Sequence, residues 1–296
     1  SRIEYFWNSF MMRPIMFFLQ QLNPSRQSQL QRSGVFVNCI NGYFGFKHVE
    51  NGVDLALISR LSSQRAGTRL LSRGLDDDGN VSNFAETEMV IRKGDIYFSF
   101  LIIRGSVPVF WDQQGQRLGY PKVQLTRTPL ATQAAFDRHI DSLNQTYGLI
   151  HAIDLLDQRE GRSEQVLSQG FEYHCKRYPD KNTLSLTKFD MNSIVKLFDY
   201  HRLEALFHLI SRDIQLFGFS VIQSGHAIKD QKGVFRINCL DCVDRTNVVQ
   251  SFLAFKTAEL FFRSFLGQNM PSEYLDLIRA LWGENGDKLS YLYSGT

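Results

Sequence analysis

The stretch GVFRINCLDCVDRTN, residues 233–247, decides the fold of this chain. Its first six residues, Gly233–Asn238, are a short apolar run that predicts a buried strand. From Asn247 onward, apolar residues recur at helical spacing, with Val248, Phe252 and Phe255 on one face. A strand, a short loop and a helix in this order point backbone N–H groups and the positive helix end at an anion. The stretch therefore predicts an α/β fold with a phosphate-binding loop.

The loop in this stretch carries a cysteine and an arginine whose spacing in the sequence has a chemical explanation. Five residues separate Cys239 from Arg245, and we call residues 239–245 the cysteine loop. A loop of this length can fold around one phosphate, with the sulfur below phosphorus and the guanidinium on two phosphate oxygens. This positive environment favours the nucleophilic thiolate, and the hydroxyl of Thr246 can donate to the sulfur. We therefore expect in-line attack by Cys239 and a phosphocysteine intermediate, with no metal ion or other cofactor.

Two aspartates lie in the same loop. If Asp241 and Asp244 were both ionised, they would oppose the binding of a dianion. In one interpretation, one of them is protonated and serves as the general acid for the leaving group, with Asp244 the preferred candidate. In the other, both side chains turn away and pair with Arg236 or other cations, which braces the loop. The sequence leaves both interpretations open.

The Cys239-x-x-Cys242 spacing also occurs in redox pairs and zinc sites. However, Cys39 and Cys175 are isolated in the sequence, and the seven histidines show no ligand spacing. We therefore interpret Cys242 as a small buried residue that supports the loop. An alternative role is protection of Cys239 through a reversible disulfide.

The composition is that of an ordinary globular protein. Hydrophobic residues make up 43% and charged residues 21% of the chain, which excludes a disordered polypeptide. The net charge of +3 is too small to predict nucleic-acid binding. The longest apolar runs, such as residues 96–103, are far shorter than the ~20 residues that span a bilayer. Four unevenly spaced cysteines favour a reducing, cytoplasmic compartment over a disulfide framework.

Elsewhere, apolar runs alternate with helical periodicity, which predicts a mixed central sheet flanked by helices. Strands are predicted at 35–40, 54–59, 95–103, 149–156 and 217–223. Helices are predicted at 2–22 (interrupted at Pro14), 131–147, 166–175 and 191–209. Residues 24–33 are predicted to be an exposed loop, residues 73–79 a tight turn, and no capped helix is predicted at the C-terminal end.

The longer string Arg236-x-Asn238-Cys239-x-Asp241-Cys242-x-Asp244-Arg245-Thr246-Asn247 resembles the signature of the Sac-domain phosphoinositide phosphatases. Further stretches that resemble landmarks of this family are FWN at 6–8, RAGTR at 65–69, RG at 73–74, DGNV at 78–81, NFAETE at 83–88 and RGSVPVFW at 104–111. Residues 282–296 are similar to the synaptojanin branch. The family's Phe-Asp-Tyr/Phe-His motif has two competing matches, at 189–192 and 198–201, and only the second contains a histidine.

The resemblance implies a phosphatase that acts on inositol-ring monophosphates of membrane phosphoinositides. Phosphatidylinositol 4-phosphate is the foremost substrate, with the 3-phosphate and the 3,5-bisphosphate as further candidates. The resemblance also implies a cytoplasmic, peripheral membrane protein that binds phosphoinositide head groups at membrane surfaces. The implied cellular role is membrane trafficking and endocytosis. Trafficking partners and oligomeric state are left open.

The resemblance also implies that residues 1–296 form the catalytic part of a Sac domain, without its N-terminal subdomain and without a downstream inositol 5-phosphatase domain. The alternative function is a catalytically inactive phosphoinositide-binding scaffold. The presence of Cys239, Arg245 and Thr246 together argues against that alternative.

The candidate site is centred on the cysteine loop. The catalytic candidates are Cys239, Arg245, Asp244, Asp241 and Thr246. The candidates for substrate binding are Arg236, Asn238, Leu240, Cys242, Val243, Asn247 and Arg104. Two interpretations remain for Arg65, Arg69 and Arg73, either a substrate patch or ion pairs with residues 76–78. Trp111 and Trp282 are expected in the core, and residues 11–19 are expected to form an exposed hydrophobic surface.

Overall fold

The computed structural model describes residues 3–34, 37–49, 52–114, 122–191 and 200–295. Its strands are β1 (Gly42–Val49), β2 (Val53–Leu61), β3 (Ala85–Lys93), β4 (Ile96–Arg104), β5 (Trp111–Gln114), β6 (Lys122–Leu125), β7 (Leu149–Asp154), β8 (Leu184–Lys188), β9 (Ser220–Gln223), β10 (His226–Lys229) and β11 (Gly233–Asn238). Its helices are α1 (Ser9–Gln21), α2 (Pro24–Arg32), α3 (Pro129–Tyr147), α4 (Gln165–Arg177), α5 (Tyr200–Leu209), α6 (Ser211–Phe217), α7 (Asp244–Ser264) and α8 (Ser272–Ser294), preceded by a short 3-10 helix, Ile3–Tyr5.

These strands form one nine-stranded mixed sheet and a separate hairpin of β5 and β6. The main order across the sheet is β1-β2-β3-β4-β11-β7-β8, and β9 pairs with both β4 and β10. The first four strands pair antiparallel in succession. In contrast, β11 pairs parallel with β4 and β7, and β7 pairs parallel with β8. The predicted mixed central sheet is confirmed.

Strand β11 lies in the interior of the sheet, and all six of its residues are buried. In the parallel registers, Ile237 lies opposite Arg104 of β4, and Asn238 lies opposite Asp154 of β7. The chain segments that follow these three strands therefore leave the sheet at the same edge. In open α/β sheets this edge is where ligands bind.

Helices cover both faces of the sheet, as the sequence predicts. Phe235 and Ile237 belong to a core that also contains side chains of α5, α6, α7 and α8. Val234 belongs to a second core, with Phe136 of α3 and Phe171 of α4. This alternation along β11 is the two-residue period of a strand that is covered on both sides. The strand that precedes the cysteine loop is thus held firmly from both faces.

Most predicted elements are present with shifted ends. The strands at 54–59, 95–103, 149–156 and 217–223 correspond to β2, β4, β7 and β9, and the helices at 131–147 and 166–175 correspond to α3 and α4. Strands β1, β3, β5, β6, β8 and β10 were not expected, nor were helices α6 and α8. Strand β3, with the sequence AETEMVIRK, carries four charged residues, so its apolar content is low for a strand.

The expected loop at 24–33 is wrong, because most of it is helix α2. The helix begins at Pro24, a favoured first position, and the side chain of Asn23 accepts a hydrogen bond from the backbone N–H of Arg26 at 2.9 Å. Leu30 is the one large apolar side chain of the segment, so hydrophobic periodicity gives no sign of a helix. The capping residues were the available signal.

Three further predictions at the ends of elements need correction. The helix at 2–22 is a 3-10 turn followed by α1, which runs through Pro14 without the expected interruption, and residue 2 lies outside the described residues. In the expected strand at 35–40, residues 37–40 form no strand, and 35–36 lie outside the described residues. In the expected helix at 191–209, Met191 is not helical, 192–199 lie outside the described residues, and α5 covers the rest. Helix α8 ends in a cap that was not expected, with Gly295 at φ +77°.

Helix α1 presents the hydrophobic surface that was expected near the N terminus. Its exposed side chains include Phe10, Met11, Phe17 and Phe18. Nevertheless, within the described ranges no helix has both the length and the hydropathy needed to cross a bilayer. Trp111 and Trp282 are buried, as expected.

Candidate active site

The cysteine loop connects β11 to α7 at the edge of the sheet where the parallel strands end. Strand β11 ends at Asn238, and α7 begins at Asp244. This is the predicted order of strand, loop and helix. Between them, Cys242 has a left-handed backbone with φ +54°. The turn brings the backbone N–H of Cys242 to 2.9 Å from Sγ of Cys239, to which it donates a hydrogen bond.

The thiol of Cys239 is buried in a surrounding that favours its charged form. Burial by itself raises the pKa of this thiol. Hydrogen bonding from Cys242 and the charge of Arg245 act in the opposite direction, together with the Thr246 hydroxyl, which donates to Sγ at 3.3 Å. The net result is a pKa below that of an ordinary cysteine. Within the site, Cys239 is therefore the group best suited to be a nucleophile.

The second cysteine of the loop behaves differently. The Sγ atom of Cys242 donates to the carbonyl of Gly105 at 2.9 Å and lies 3.3 Å from the backbone N–H of Cys239. Burial and the neighbouring Cys239 raise the pKa of the Cys242 thiol. Cys242 thus ties the loop to the chain segment after β4. This arrangement agrees with its interpretation as a supporting residue.

The two aspartates of the loop are in different environments. Asp241 forms an ion pair with Arg73, whose Nη2 also donates to Gln113 at 2.8 Å. The guanidinium of Arg73 lies over the ring of Trp111, with 5.2 Å from Cζ to the centroid. Asp244 is exposed at the start of α7, and no described residue forms an ion pair with it. Only Asp241 is therefore held by a cation, and that cation is Arg73, not the expected Arg236.

Arg236 and Asn238 are buried beneath the loop, where they contact protein groups. Arg236 donates to the carbonyl of Ser106 at 2.6 Å, to Oδ1 of Asn238 at 3.1 Å and to Nε2 of His139 at 3.2 Å. Asn238 in turn donates to Oδ1 of Asp154 at 2.8 Å. Burial lowers the pKa of Arg236 to about 10 and keeps His139 neutral by lowering its pKa. These contacts favour a bracing role over direct contact with a substrate.

Arg104 is also fully buried, beside the two cysteines of the loop. Its Nη2 donates to Oδ1 of Asn247 at 3.0 Å, while Nε and Nη1 have no partner in the described part of the chain. Burial lowers the pKa of Arg104 to about 10, against the opposing effect of Cys242 and Cys239. Asn247 is held by Asn285, whose Nδ2 donates to its Oδ1 at 3.0 Å. Arg104 therefore lies in the wall behind the loop.

A cavity of about 430 Å³ opens beside the second half of the loop. Its polar lining residues include Asp244, Arg245 and Asn247. The remaining lining comes mainly from apolar side chains of α5, α7 and α8, such as Phe252 and Trp282. Leu240 is half-buried and Val243 is buried, and neither lines this cavity. Asp244 and Arg245 thus line the same cavity.

Three residues that hold the loop come from distant parts of the chain. Asn83, with φ +50°, donates from Nδ2 to the carbonyls of Asp241 at 2.9 Å and Cys242 at 3.3 Å. Arg73 contacts Asp241, as described above, and Glu164 contacts Arg245. Asn83 and Arg73 lie in stretches that the sequence marks as family landmarks, which was a usable signal. Glu164 has no such signal.

Arg65, another arginine of the 65–73 cluster, contacts backbone carbonyls. Arg65 donates from Nε and Nη2 to the carbonyls of Gly74 at 3.0 Å and Arg73 at 2.6 Å, so it braces the predicted turn. In the predicted acidic partner segment, Asp77 pairs with Arg127. Arg73 pairs with Asp241, and Asp77 pairs with Arg127. Neither residue therefore forms the ion pair that was expected between this cluster and residues 76–78.

Comparison with known proteins identifies relatives over the whole chain. A family model described as "SacI homology domain" matches residues 2–196. The chain is 39% identical, over 99% of its length, to "Inositol-1,4,5-trisphosphate 5-phosphatase 1" of Schizosaccharomyces pombe and covers 27% of that protein. It is 34% identical, over 99% of its length, to "Polyphosphatidylinositol phosphatase INP53" of Saccharomyces cerevisiae, of which it also covers 27%. It is 39% identical, over 81% of its length, to "Synaptojanin-1" of Mus musculus, of which it covers 15%.

Proposed function

Because this chain belongs to the SacI homology domain family, we propose that it is a phosphatase that hydrolyses ring phosphates of membrane phosphoinositides. The observation that carries the proposal is the environment of Cys239, a buried thiol whose pKa is lowered at the start of a loop that ends in Arg245. The name of the yeast relative, a polyphosphatidylinositol phosphatase, supports the substrate class. Phosphatidylinositol 4-phosphate is the first substrate, followed by the 3-phosphate and the 3,5-bisphosphate.

The first chemical step is attack by the Cys239 thiolate on phosphorus. The S–P bond forms as the bond from phosphorus to the inositol oxygen breaks, and a general acid protonates that oxygen. Arg245 and the N terminus of α7 stabilise the negative charge on the phosphoryl oxygens. In the second step, water attacks phosphorus, the S–P bond breaks, and inorganic phosphate leaves with the thiolate regenerated.

Asp244 is the general acid in this proposal. It is exposed and lines the same cavity as Arg245, where a leaving inositol oxygen can reach it. Asp241 is less suited to the role because it is paired with Arg73 and does not line this cavity. In the second step, the Asp244 carboxylate accepts the proton of the attacking water.

The protein reaches its substrate at the surface of a cytoplasmic membrane leaflet in this proposal. Phosphoinositide head groups project from that surface, so a site at the sheet edge can act without insertion into the bilayer. The described residues then represent the catalytic part of a Sac domain. By analogy with the synaptojanin relative, the proposed setting is membrane trafficking and endocytosis.

The test is phosphate release from a panel of water-soluble, short-chain phosphoinositides. We expect release from the 4-phosphate, with loss of activity by more than about 10³-fold in Cys239→Ser, because the nucleophile is removed. The matched control is Cys175→Ser, which changes a buried cysteine of α4 outside the loop and should keep its activity. Binding of the lipids without turnover by the unmodified protein would instead support the inactive scaffold.

A further inference from the structure

A third carboxylate contacts the cysteine loop from outside. Glu164 immediately precedes α4, in the segment that follows β7. Its Oε1 and Oε2 accept hydrogen bonds from Nη2 of Arg245 at 2.8 Å and from Nη1 at 2.9 Å. The exposed fraction is 16% for the Arg245 side chain and 14% for that of Glu164. A two-bond pair that is largely shielded from water fixes the plane of the guanidinium.

The pair uses one particular edge of the guanidinium. An arginine offers five N–H donors along two bidentate edges, one between the two terminal nitrogens and one between Nε and Nη2. Glu164 occupies the first edge, and the carbonyl of Leu155 accepts from Nη1 at 3.2 Å. Within the described residues, no acceptor lies on Nε. The second edge therefore remains available for two oxygens of a phosphate.

Glu164 is itself held in place. Its Oε2 also accepts a hydrogen bond from the backbone N–H of Asp157 at 2.8 Å. Since β7 is the parallel neighbour of β11, the segment from Asp157 to Glu164 belongs to the same edge of the sheet as the loop. The position of the guanidinium is thus set by two adjacent loops and does not depend on α7 alone.

We propose that Glu164 is a positioning residue, which holds Arg245 so that its Nε–Nη2 edge faces the phosphate bound above Cys239. This inference rests on the proposed phosphatase function and adds a residue to the same site. A carboxylate near a phosphate costs binding energy through repulsion, but the guanidinium lies between the two. In return, the Glu164 carboxylate orients the arginine before the substrate arrives, so the guanidinium need not be ordered in the transition state.

The test compares Glu164→Gln and Glu164→Asp with the unmodified protein. The amide of Gln can accept only one of the two hydrogen bonds, and its NH₂ group opposes the second guanidinium nitrogen. We expect kcat on short-chain phosphatidylinositol 4-phosphate to fall about 10- to 100-fold in Glu164→Gln, with partial recovery in Glu164→Asp. The matched control is Glu172→Gln, which breaks ion pairs of α4 with Lys176 and Lys188 and should leave kcat within about twofold.

A double-mutant cycle separates positioning from a general structural role. In an Arg245→Lys background the fork is absent, so Glu164→Gln should reduce kcat by less than about threefold further. An equal loss in both backgrounds would overturn the proposal. A rise in kcat for Glu164→Gln would also overturn it, because Glu164 would then be competing with phosphate for Arg245.

A readout without turnover keeps this inference distinct from the proposed function. Inorganic phosphate should protect Cys239 from alkylation by iodoacetamide, and Glu164→Gln should weaken that protection about tenfold or more. If no variant hydrolyses phosphoinositides but the protection follows this pattern, the proposed function fails and the positioning role stands. If hydrolysis occurs and Glu164→Gln changes neither kcat nor protection, only the positioning role fails.

Discussion

After the nucleophile Cys239, the two halves of the cysteine loop, residues 240–242 and 243–245, differ in what holds them. The first half is fixed by protein groups, since Arg73 pairs with Asp241, Asn83 bonds two carbonyls and the thiol of Cys242 bonds Gly105. The second half lines a cavity, Asp244 is exposed, and one edge of Arg245 has no acceptor in the described residues. The first half therefore shapes the loop, and the second half is available for chemistry.

The comparison shows that residue type does not decide the role of a loop carboxylate. Asp241 and Asp244 are three positions apart and chemically identical. They differ because a guanidinium 168 positions away in the sequence reaches one of them and not the other. If the first half shapes the loop, its variants should lose stability and activity together. If the second half carries the chemistry, its variants should lose activity at unchanged stability.

The largest difference in the effect of a substitution on kcat/KM is expected between the two aspartates. Asp244→Asn should lower kcat/KM for phosphatidylinositol 4-phosphate by about 10²- to 10³-fold, because the leaving inositol oxygen loses its proton donor. Asp241→Asn should lower it less than about tenfold and should reduce the melting temperature. Phosphate release and thermal unfolding measure the two effects.

A substrate with a good leaving group tests the same assignment independently. With 4-methylumbelliferyl phosphate, protonation of the leaving oxygen matters less, so the defect of Asp244→Asn should shrink to about tenfold or less. If the defect were equally large on both substrates, Asp244 would not be the general acid. The comparison of the halves would then lose its main support.

The next effect concerns Arg73, the cation that fixes the first half. The exposed fractions of the paired side chains are 11% for Arg73 and 34% for Asp241, so the pair is only partly solvated. Arg73→Met should lower the free energy of unfolding by about 2–3 kcal/mol, because the partly buried carboxyl group of Asp241 loses its partner. Chemical denaturation measures this loss. Adding Asp241→Asn should recover part of it, and a strictly additive double variant would contradict the role of the pair.

The two cysteines provide a third comparison, through their reactivity with iodoacetamide. The pKa of Cys239 is lowered, so its alkylation should reach half of its plateau below the pH of an ordinary thiol, about 8.5. The pKa of Cys242 is raised, so this residue should react only at higher pH. Thr246→Val removes the hydroxyl that donates to Sγ of Cys239 at 3.3 Å. Alkylation of Cys239 at pH 6 should then slow by up to about tenfold.

In Thr246→Val, the acidic limb of the pH profile of kcat/KM should also move, toward higher pH. The reason is that less thiolate is present at each acidic pH. Mass spectrometry of peptides around residues 239 and 242 assigns the reactivity. Equal alkylation of the two cysteines at pH 6 would contradict the difference between them.

The loop is predictable from the sequence because its signal is local. A buried run, a short loop and a helical pattern follow one another within 233–247, and the spacing of Cys239 and Arg245 has a direct chemical meaning. The alternation of strands and helices in the parallel part of the sheet is predictable for the same reason. In the antiparallel part of the sheet, β3 was not predicted because it carries charged residues. Two of them, Glu86 and Glu88, pair with Arg60 of the neighbouring strand β2. That pairing has no counterpart in local hydrophobicity.

The partners of the loop could not be predicted because they depend on tertiary contacts. Arg73 and Glu164 are 168 and 81 positions from the residues they bind. A lone Glu before a helix is most simply interpreted as a solvated residue. Arg104 was a candidate for substrate binding because it ends a predicted strand, and Arg236 because it stands in the family signature, whereas the fold buries both. The roles of these residues in substrate binding stay predictions.

The smallest effect is expected at Asn83, whose backbone conformation and side chain both serve the first half. Asn83→Gly keeps the left-handed conformation at φ +50° and removes only the two hydrogen bonds to the loop carbonyls, so it should cost about 1 kcal/mol of unfolding free energy. Asn83→Ala removes the same bonds and adds strain, since a Cβ without a polar group disfavours this region, so it should cost about 1 kcal/mol more. Activity should fall less than about threefold in Asn83→Gly, because Cys242 and Arg73 still hold the loop. If Asn83→Gly reduced kcat as strongly as Asp244→Asn at unchanged stability, the first half would take part in the chemistry, and the division between the two halves would be wrong.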